Sequence, residues 1–289
     1  MLGWLAQPAA LPWLVLLALL LGLCIGSFLN VVIHRLPKMM EREWRAECAA
    51  LAGQEAVKEP PLNLLVPRSR CPSCARQIGA LENIPLLSFA LLKGRCANCK
   101  APIGLKYPLV EALAGIGAAY AAWRFGFSAA ALGAALFTWA TIALAFIDQE
   151  TGLLPDSLTL PLIWAGLLLN IGHTFVSLPE SVIGAAAGYL SLWLVYWGFK
   201  LLTGKEGMGY GDFKMNAAVG AFLGWKILPL VILLSSIVGL AFGALQMLAA
   251  RGRWDGGFRF HFGPYIAIAG IVALYWGAPI LRWYTRQLT

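Results

Sequence analysis

Long apolar runs broken by short polar stretches set the pattern of this chain. They fall near 11–33, 107–123, 129–147, 157–176, 181–202, 227–250 and 263–283, with a shorter run at 213–224. A helix needs about 20 apolar residues to cross a hydrocarbon core. The pattern therefore predicts an all-α polytopic membrane protein of about eight transmembrane helices. The run from Phe213 to Gly224 is the odd one, because its 12 residues rise only about 18 Å against a core of about 30 Å. It is expected either to tilt or to start inside the membrane. The amino terminus has no basic stretch and no small-residue cleavage site, so 11–33 reads as a retained anchor.

One interruption is long enough to be a separate unit. It divides the chain into an amino-terminal helix at 1–36, a polar segment at 37–105 and a membrane-embedded remainder at 106–289. The polar segment opens with "KMMEREWRAECAALAGQEA", whose helical spacing and mixed charge predict a solvated helix lying on the membrane surface. Further on, Cys71 and Cys74 form one C-x-x-C pair and Cys96 and Cys99 another, with 21 residues between them. Two thiolates three positions apart on a tight turn can face one ion, and two such turns complete a tetrahedron. The spacing predicts a structural Zn²⁺ site in a small zinc-ribbon-like domain between helices 1 and 2. Cys24 and Cys48 have no such partners.

Composition agrees with the membrane class: 60% of residues are hydrophobic, 12% are charged, and the mean hydropathy is +0.72. The net charge is +8, which basic loops beside anionic lipid account for without nucleic acid. Of the 22 basic residues, only Arg124, Lys226, Arg282 and Arg286 lie outside if the amino terminus is placed outside; the other 18, Arg251, Arg253 and Arg259 among them, then fall in or beside the cytoplasm. Basic flanks resist export, so this orientation is preferred. Trp4, Trp13, Trp123, Trp225 and Trp283 fit an interfacial belt.

Two acids stand at the ends of apolar runs. Asp148 closes "FTWATIALAFID" and Asp212 opens the short run within "GMGYGDFKMNAAVG". An ionised carboxylate at membrane depth is costly, which makes both functional candidates. In the preferred topology both reach the cytoplasmic side. Gly207, Gly209 and Gly211 permit irregular backbone before a buried helix start. Two neighbouring carboxylates share one proton, so one can serve as acid and the other as base. Asp148 would face the carbonyl end of its helix and Asp212 an amino end with Lys214 nearby, so Asp212 is read as the resting base. Asp156, in "LLPDSLTLP", reads as the amino-cap of the next helix.

The motifs "GSFLNVVIHRLP", the two cysteine pairs with "ENIP" between them, "KYPLVE", "FID" followed by "LLPD", "GMGYGDFK" and "FGPYIAIAG" occur in an order that resembles the type IV prepilin peptidases of bacteria. The shorter "GYGD" is also similar to presenilin-type intramembrane aspartyl proteases. The resemblance implies a bifunctional multi-pass enzyme of the inner membrane, serving type IV pilus assembly or type II secretion. Such enzymes cut the basic leader of prepilins and pseudopilins on the cytoplasmic side and N-methylate the new terminal residue with S-adenosylmethionine. It implies Asp148 and Asp212 as catalytic, with Gly209 and Gly211 as active-site backbone. It also associates methyl transfer with the cysteine-bearing segment, where Gly94, Arg95 and Glu82 match. His34 and Arg35 belong to a matching block, and His34, at a helix end, reads as an interfacial cap or backbone hydrogen-bonder and not a catalyst.

Two rivals remain at this point. Asp148 and Asp212 could bind protons or cations in an ion-coupled transporter, or the chain could be an assembly factor with a zinc-bearing docking module. The sequence leaves the oligomeric state open.

Overall fold

A computed structural model of the chain describes residues 10–54, 59–249 and 261–288. Trp4, Arg251, Arg253 and Arg259 lie outside the described residues. The chain is helical, with no strand among the described residues: α1 (Leu11–Leu51), α2 (Leu87–Leu91), α3 (Lys106–Phe125), α4 (Ala129–Thr151), α5 (Asp156–Ile171), α6 (Leu178–Thr203), α7 (Tyr210–Leu223), α8 (Leu228–Ala249) and α9 (Gly263–Leu288). A helix stands at each of the eight apolar runs, but among the described residues only five, α1, α4, α6, α8 and α9, are long and apolar enough to cross a membrane by length and composition. The expected count of eight spans is thus too high. Alanine- and glycine-rich α3 carries less apolar surface, and α5 is only 16 residues long.

The amphipathic stretch after residue 37 is not a separate surface helix. It continues α1 through Pro37 for 41 residues in all, a rod of about 60 Å. Its last turns are solvated, as expected. Arg35 is buried and donates to the carbonyls of Asn63 (2.9 Å) and Pro67 (2.5 Å), pinning the following loop to α1.

The chain divides into two compact units, Met1–Ala131 and Leu132–Thr289. In the first, α1 crosses α3 at small residues. A Cβ on Gly22 would lie 2.7 Å from the Ala114 carbonyl oxygen, and one on Gly26 would lie 2.6 Å from the Glu111 Cα. Without a hydrophobic drive between helices in lipid, such close backbone approach is what holds them.

In the second unit α7 is the core. Ten of its 14 residues are buried, from Asp212 to Phe222, enclosed by α5, α6 and α9. That resolves the short run: α7 is surrounded by protein and has no lipid thickness to match. Asn170 of α5 anchors its far end, donating to the carbonyls of Ala221 (2.9 Å) and Phe222 (3.0 Å) and accepting from the Phe175 amide (3.0 Å). Gly220 of α7 meets Gly184 of α6 so closely that a Cβ on either would overlap the other's carbonyl oxygen. Gly220→Ala is expected to cost about 3 kcal/mol or more and lower the melting temperature in detergent by about 6 °C or more. Gly198→Ala on the same α6, where a Cβ meets open space, should leave it unchanged.

Candidate active site

Asp148 lies in the last turn of α4 and Asp212 in the first turn of α7, and each is only 5% exposed. The fold ties each carboxylate by one oxygen to backbone at a helix start. Asp148 Oδ2 accepts from the amide of Gly263, the first residue of α9, at 3.1 Å. Asp212 Oδ2 accepts from the amide of Gly209, which precedes α7, at 3.1 Å. Asp212 Oδ1 is buried with no hydrogen-bond partner, and Asp148 lies within Coulombic reach of Asp212. Buried polar atoms are rarely left unpaired, so this oxygen marks where a water or a substrate group would bind.

Three expectations about this neighbourhood change. Gly207 and Gly209 do lie in irregular backbone before α7, as expected, but Gly211 does not. Gly211 already lies inside α7, where a Cβ would sit 2.5 Å from the Leu154 Cβ, so that glycine serves close approach. Asp156 is not an amino-cap: Pro155 holds that position, and Asp156 pairs with Lys214 at 2.6 Å. Lys214 therefore does not single out Asp212, and Asp148, although in the last turn of α4, also meets the amino end of α9. Gly263 is the site residue that motif reading left without a role. The block "FGPYIAIAG" was its only signal.

In the first unit, the two cysteine turns repeat one geometry. Cys71 N–H donates to the Arg76 carbonyl and Cys96 N–H to the Ala101 carbonyl, both at 2.9 Å. Each turn then closes with an isolated antiparallel bridge, Arg70 with Gln77 and Arg95 with Pro102. Ala75 and Lys100, at matching positions, both have positive φ. The four Sγ atoms all lie within 4.8 Å of one another and could hold a metal ion. The backbone at Arg76 and the Asn98 amide hold the Cys74 thiol down to about 6, favouring thiolate.

Beside this lobe lies a cavity of about 540 Å³ between the second half of α1, the start of α3 and the cysteine turns. Glu82 lines it, with one oxygen taken by Arg76 (3.0 Å) and the other by the Gly79 amide (3.0 Å). Gly94 has φ +67° and sits under Phe89, which also lines the cavity. Arg95 is exposed and is not a lining residue.

Two buried aspartates within Coulombic reach of each other, each at a helix end, are an arrangement that can serve an aspartic peptidase. The chain belongs to the Type IV leader peptidase family, whose description matches residues 135–244, while residues 20–125 match the Bacterial Peptidase A24 N-terminal domain. It is 57% identical to the prepilin leader peptidase/N-methyltransferase of Aeromonas hydrophila over 95% of both chains. It is 53% identical to that of Pseudomonas aeruginosa, over 94% of this chain and 93% of the relative. For that of Legionella pneumophila the figure is 45%, over 94% and 95%. No solved structure matches. All three relatives are named as peptidase and methyltransferase, so the transporter reading finds no support among them.

Proposed function

We propose that this chain is a bifunctional enzyme of the bacterial inner membrane. It removes the basic leader of type IV prepilins and pseudopilins on the cytoplasmic side and then N-methylates the new terminal residue, with S-adenosylmethionine as co-substrate. The observation that carries the peptidase half is the acid pair: two buried carboxylates, each with one oxygen fixed by a helix-start amide, and Asp212 Oδ1 unpaired. Sharing a proton, one carboxylate draws a proton from water as it attacks the scissile carbonyl, and the other protonates the departing amide nitrogen. The pair titrates as a unit.

Cys71, Cys74, Cys96 and Cys99 would hold a structural Zn²⁺. Sulfurs placed 2.3 Å from zinc in a tetrahedron stand about 3.8 Å apart, and Cys71 and Cys99 stand at 3.7 Å. Four thiolates close the coordination shell, so this ion serves folding. The charge split of 18 to 4 supports a periplasmic amino terminus and a cytoplasmic cysteine lobe. Residues 37–105 would then serve methyl transfer together with the flanking parts of α1 and α3 that line the same cavity, and the rest of 106–289 would carry the peptidase.

Detergent-purified protein incubated with a prepilin and methyl-labelled S-adenosylmethionine should shorten the pilin and label it. An intact, zinc-loaded preparation that leaves the leader in place would sink the reading. Gly94→Ala forces a side chain into left-handed backbone, at about 1–2 kcal/mol, and sets its Cβ 3.0 Å from the Phe89 ring. It should reduce labelling about tenfold or more and change leader cleavage by less than about twofold.

A further inference from the structure

Methyl transfer to an amine needs acceptors for the N–H groups of an ammonium and a base to take one proton. Glu82, the acid that motif matching points to, has both oxygens engaged by Arg76 and Gly79. The same cavity holds another acid. The close crossing of α1 on α3 at Gly26 brings Glu111 beside Ser27 and Asn30, and all three line the cavity. Glu111 is half-buried; its Oε2 accepts from the Leu86 amide at 2.9 Å and the Ser27 hydroxyl also bonds its carboxyl, but unlike Glu82 it has no cationic partner among these. Asn30 is 6% exposed. Its amide nitrogen donates to the Tyr107 carbonyl at 3.0 Å, which fixes the orientation of the group, and its Oδ1 has no partner. A fixed, buried, unpaired acceptor beside a carboxylate is the chemistry that recognises a primary ammonium.

We propose that the amino terminus exposed by cleavage is held in this cavity by Asn30 Oδ1 and the Glu111 carboxylate, and that Glu111 takes its proton. The inference rests on the methyl-transfer reading above. The ammonium gives one proton to the carboxylate. The freed nitrogen lone pair bonds to the methyl carbon, the carbon–sulfur bond breaks, and its electron pair stays on sulfur. Products are a secondary ammonium, a neutral thioether and a carboxylic acid that returns its proton to solvent. The other titratable or charged groups facing the cavity are His34, Arg35, Lys38 and Arg42 from α1, Arg68, Arg70, Cys71, Glu82 and Cys96 from the lobe, and Tyr107. Arg35 is held by backbone carbonyls and His34 contacts Lys38 at 3.0 Å; His34 also stands one turn from Asn30 on α1, so its variant is the control against Glu111.

The test uses full-length, zinc-loaded protein and a pilin already freed of its leader. Glu111→Gln should lower methyl transfer at pH 7 by about 100-fold or more, keep leader cleavage of intact prepilin within about twofold, and bind S-adenosylhomocysteine with unchanged affinity by calorimetry. Its methyl-transfer rate should rise about tenfold per pH unit up to the amine's own pKa, about 8, whereas the wild type stays flat over that range. Asn30→Ala should raise the KM for the cleaved pilin with a smaller change in kcat. Wild-type labelling with Glu111→Gln unaffected would overturn the assignment. So would a loss that is equal at every pH and accompanied by lost zinc or lost S-adenosylhomocysteine binding, or appearance of the pH signature in His34→Gln instead. Absence of labelling by the wild type itself would sink the methyl-transfer reading.

Discussion

Asp148→Asn and Asp212→Asn are each expected to lower leader cleavage by about 10⁴-fold or more while leaving the fold in place. Asparagine matches the shape of aspartate, and its amide oxygen can still accept from Gly263 or Gly209, so the hydrogen bonds that seat the two side chains survive. What disappears is the capacity to take or give a proton. Both steps of amide hydrolysis need it, since water must lose a proton and the leaving nitrogen must gain one. Groups that act as one unit are non-additive, and the double variant should be no worse than either single one. Methylation of a pilin already freed of its leader should persist in both, because no residue of the amine site proposed in the first unit is changed. Gel-shift rates on prepilin and melting curves in detergent check this. Processing near the wild-type rate by either variant would remove the acid pair from the mechanism.

Loss of the metal should have the second largest effect. Among the described residues of the segment 59–105, Cys71 alone is buried, and the longest regular element there is α2, with 5 residues. So small a lobe has no apolar core to hold its shape, and a structural zinc site contributes about 10–16 kcal/mol in such cases. Cys96→Ser, or prolonged chelation of the wild type, should take the bound zinc from about one per chain to near zero. The lobe should then become protease-sensitive, and methyl transfer should fall about 100-fold or more, because Cys71, Cys96 and Ala101–Gly104 wall the cavity. Retained zinc in Cys96→Ser, or full methyl transfer without metal, would contradict this account. The readouts are metal analysis, limited proteolysis and methyl labelling.

Motif reading reached the acids and the cysteines because their signals are local. A carboxylate at the end of an apolar run, or two cysteines three residues apart, carries its meaning in a few adjacent positions. It failed on Lys214, which lies two residues from Asp212 in sequence yet pairs with Asp156, 58 residues away. It likewise took the solvated continuation of α1 for a surface helix, because periodicity shows an amphipathic face but not whether the helix before it stops at a proline.

By itself, the sequence determined an all-α membrane protein, the positions of its helices, the two acids and the four thiols, since hydrophobic run length and short spacing are written along the chain. The tertiary structure alone decided that α3 crosses α1 and so places Glu111 beside Asn30, that α7 is a core helix, and that Asp148 is held by an amide 115 residues away. The physical reason is that lipid-facing and protein-facing residues are equally apolar in such helices. Which helices touch is then settled by small-residue contacts and single long-range hydrogen bonds, and these leave no periodic trace.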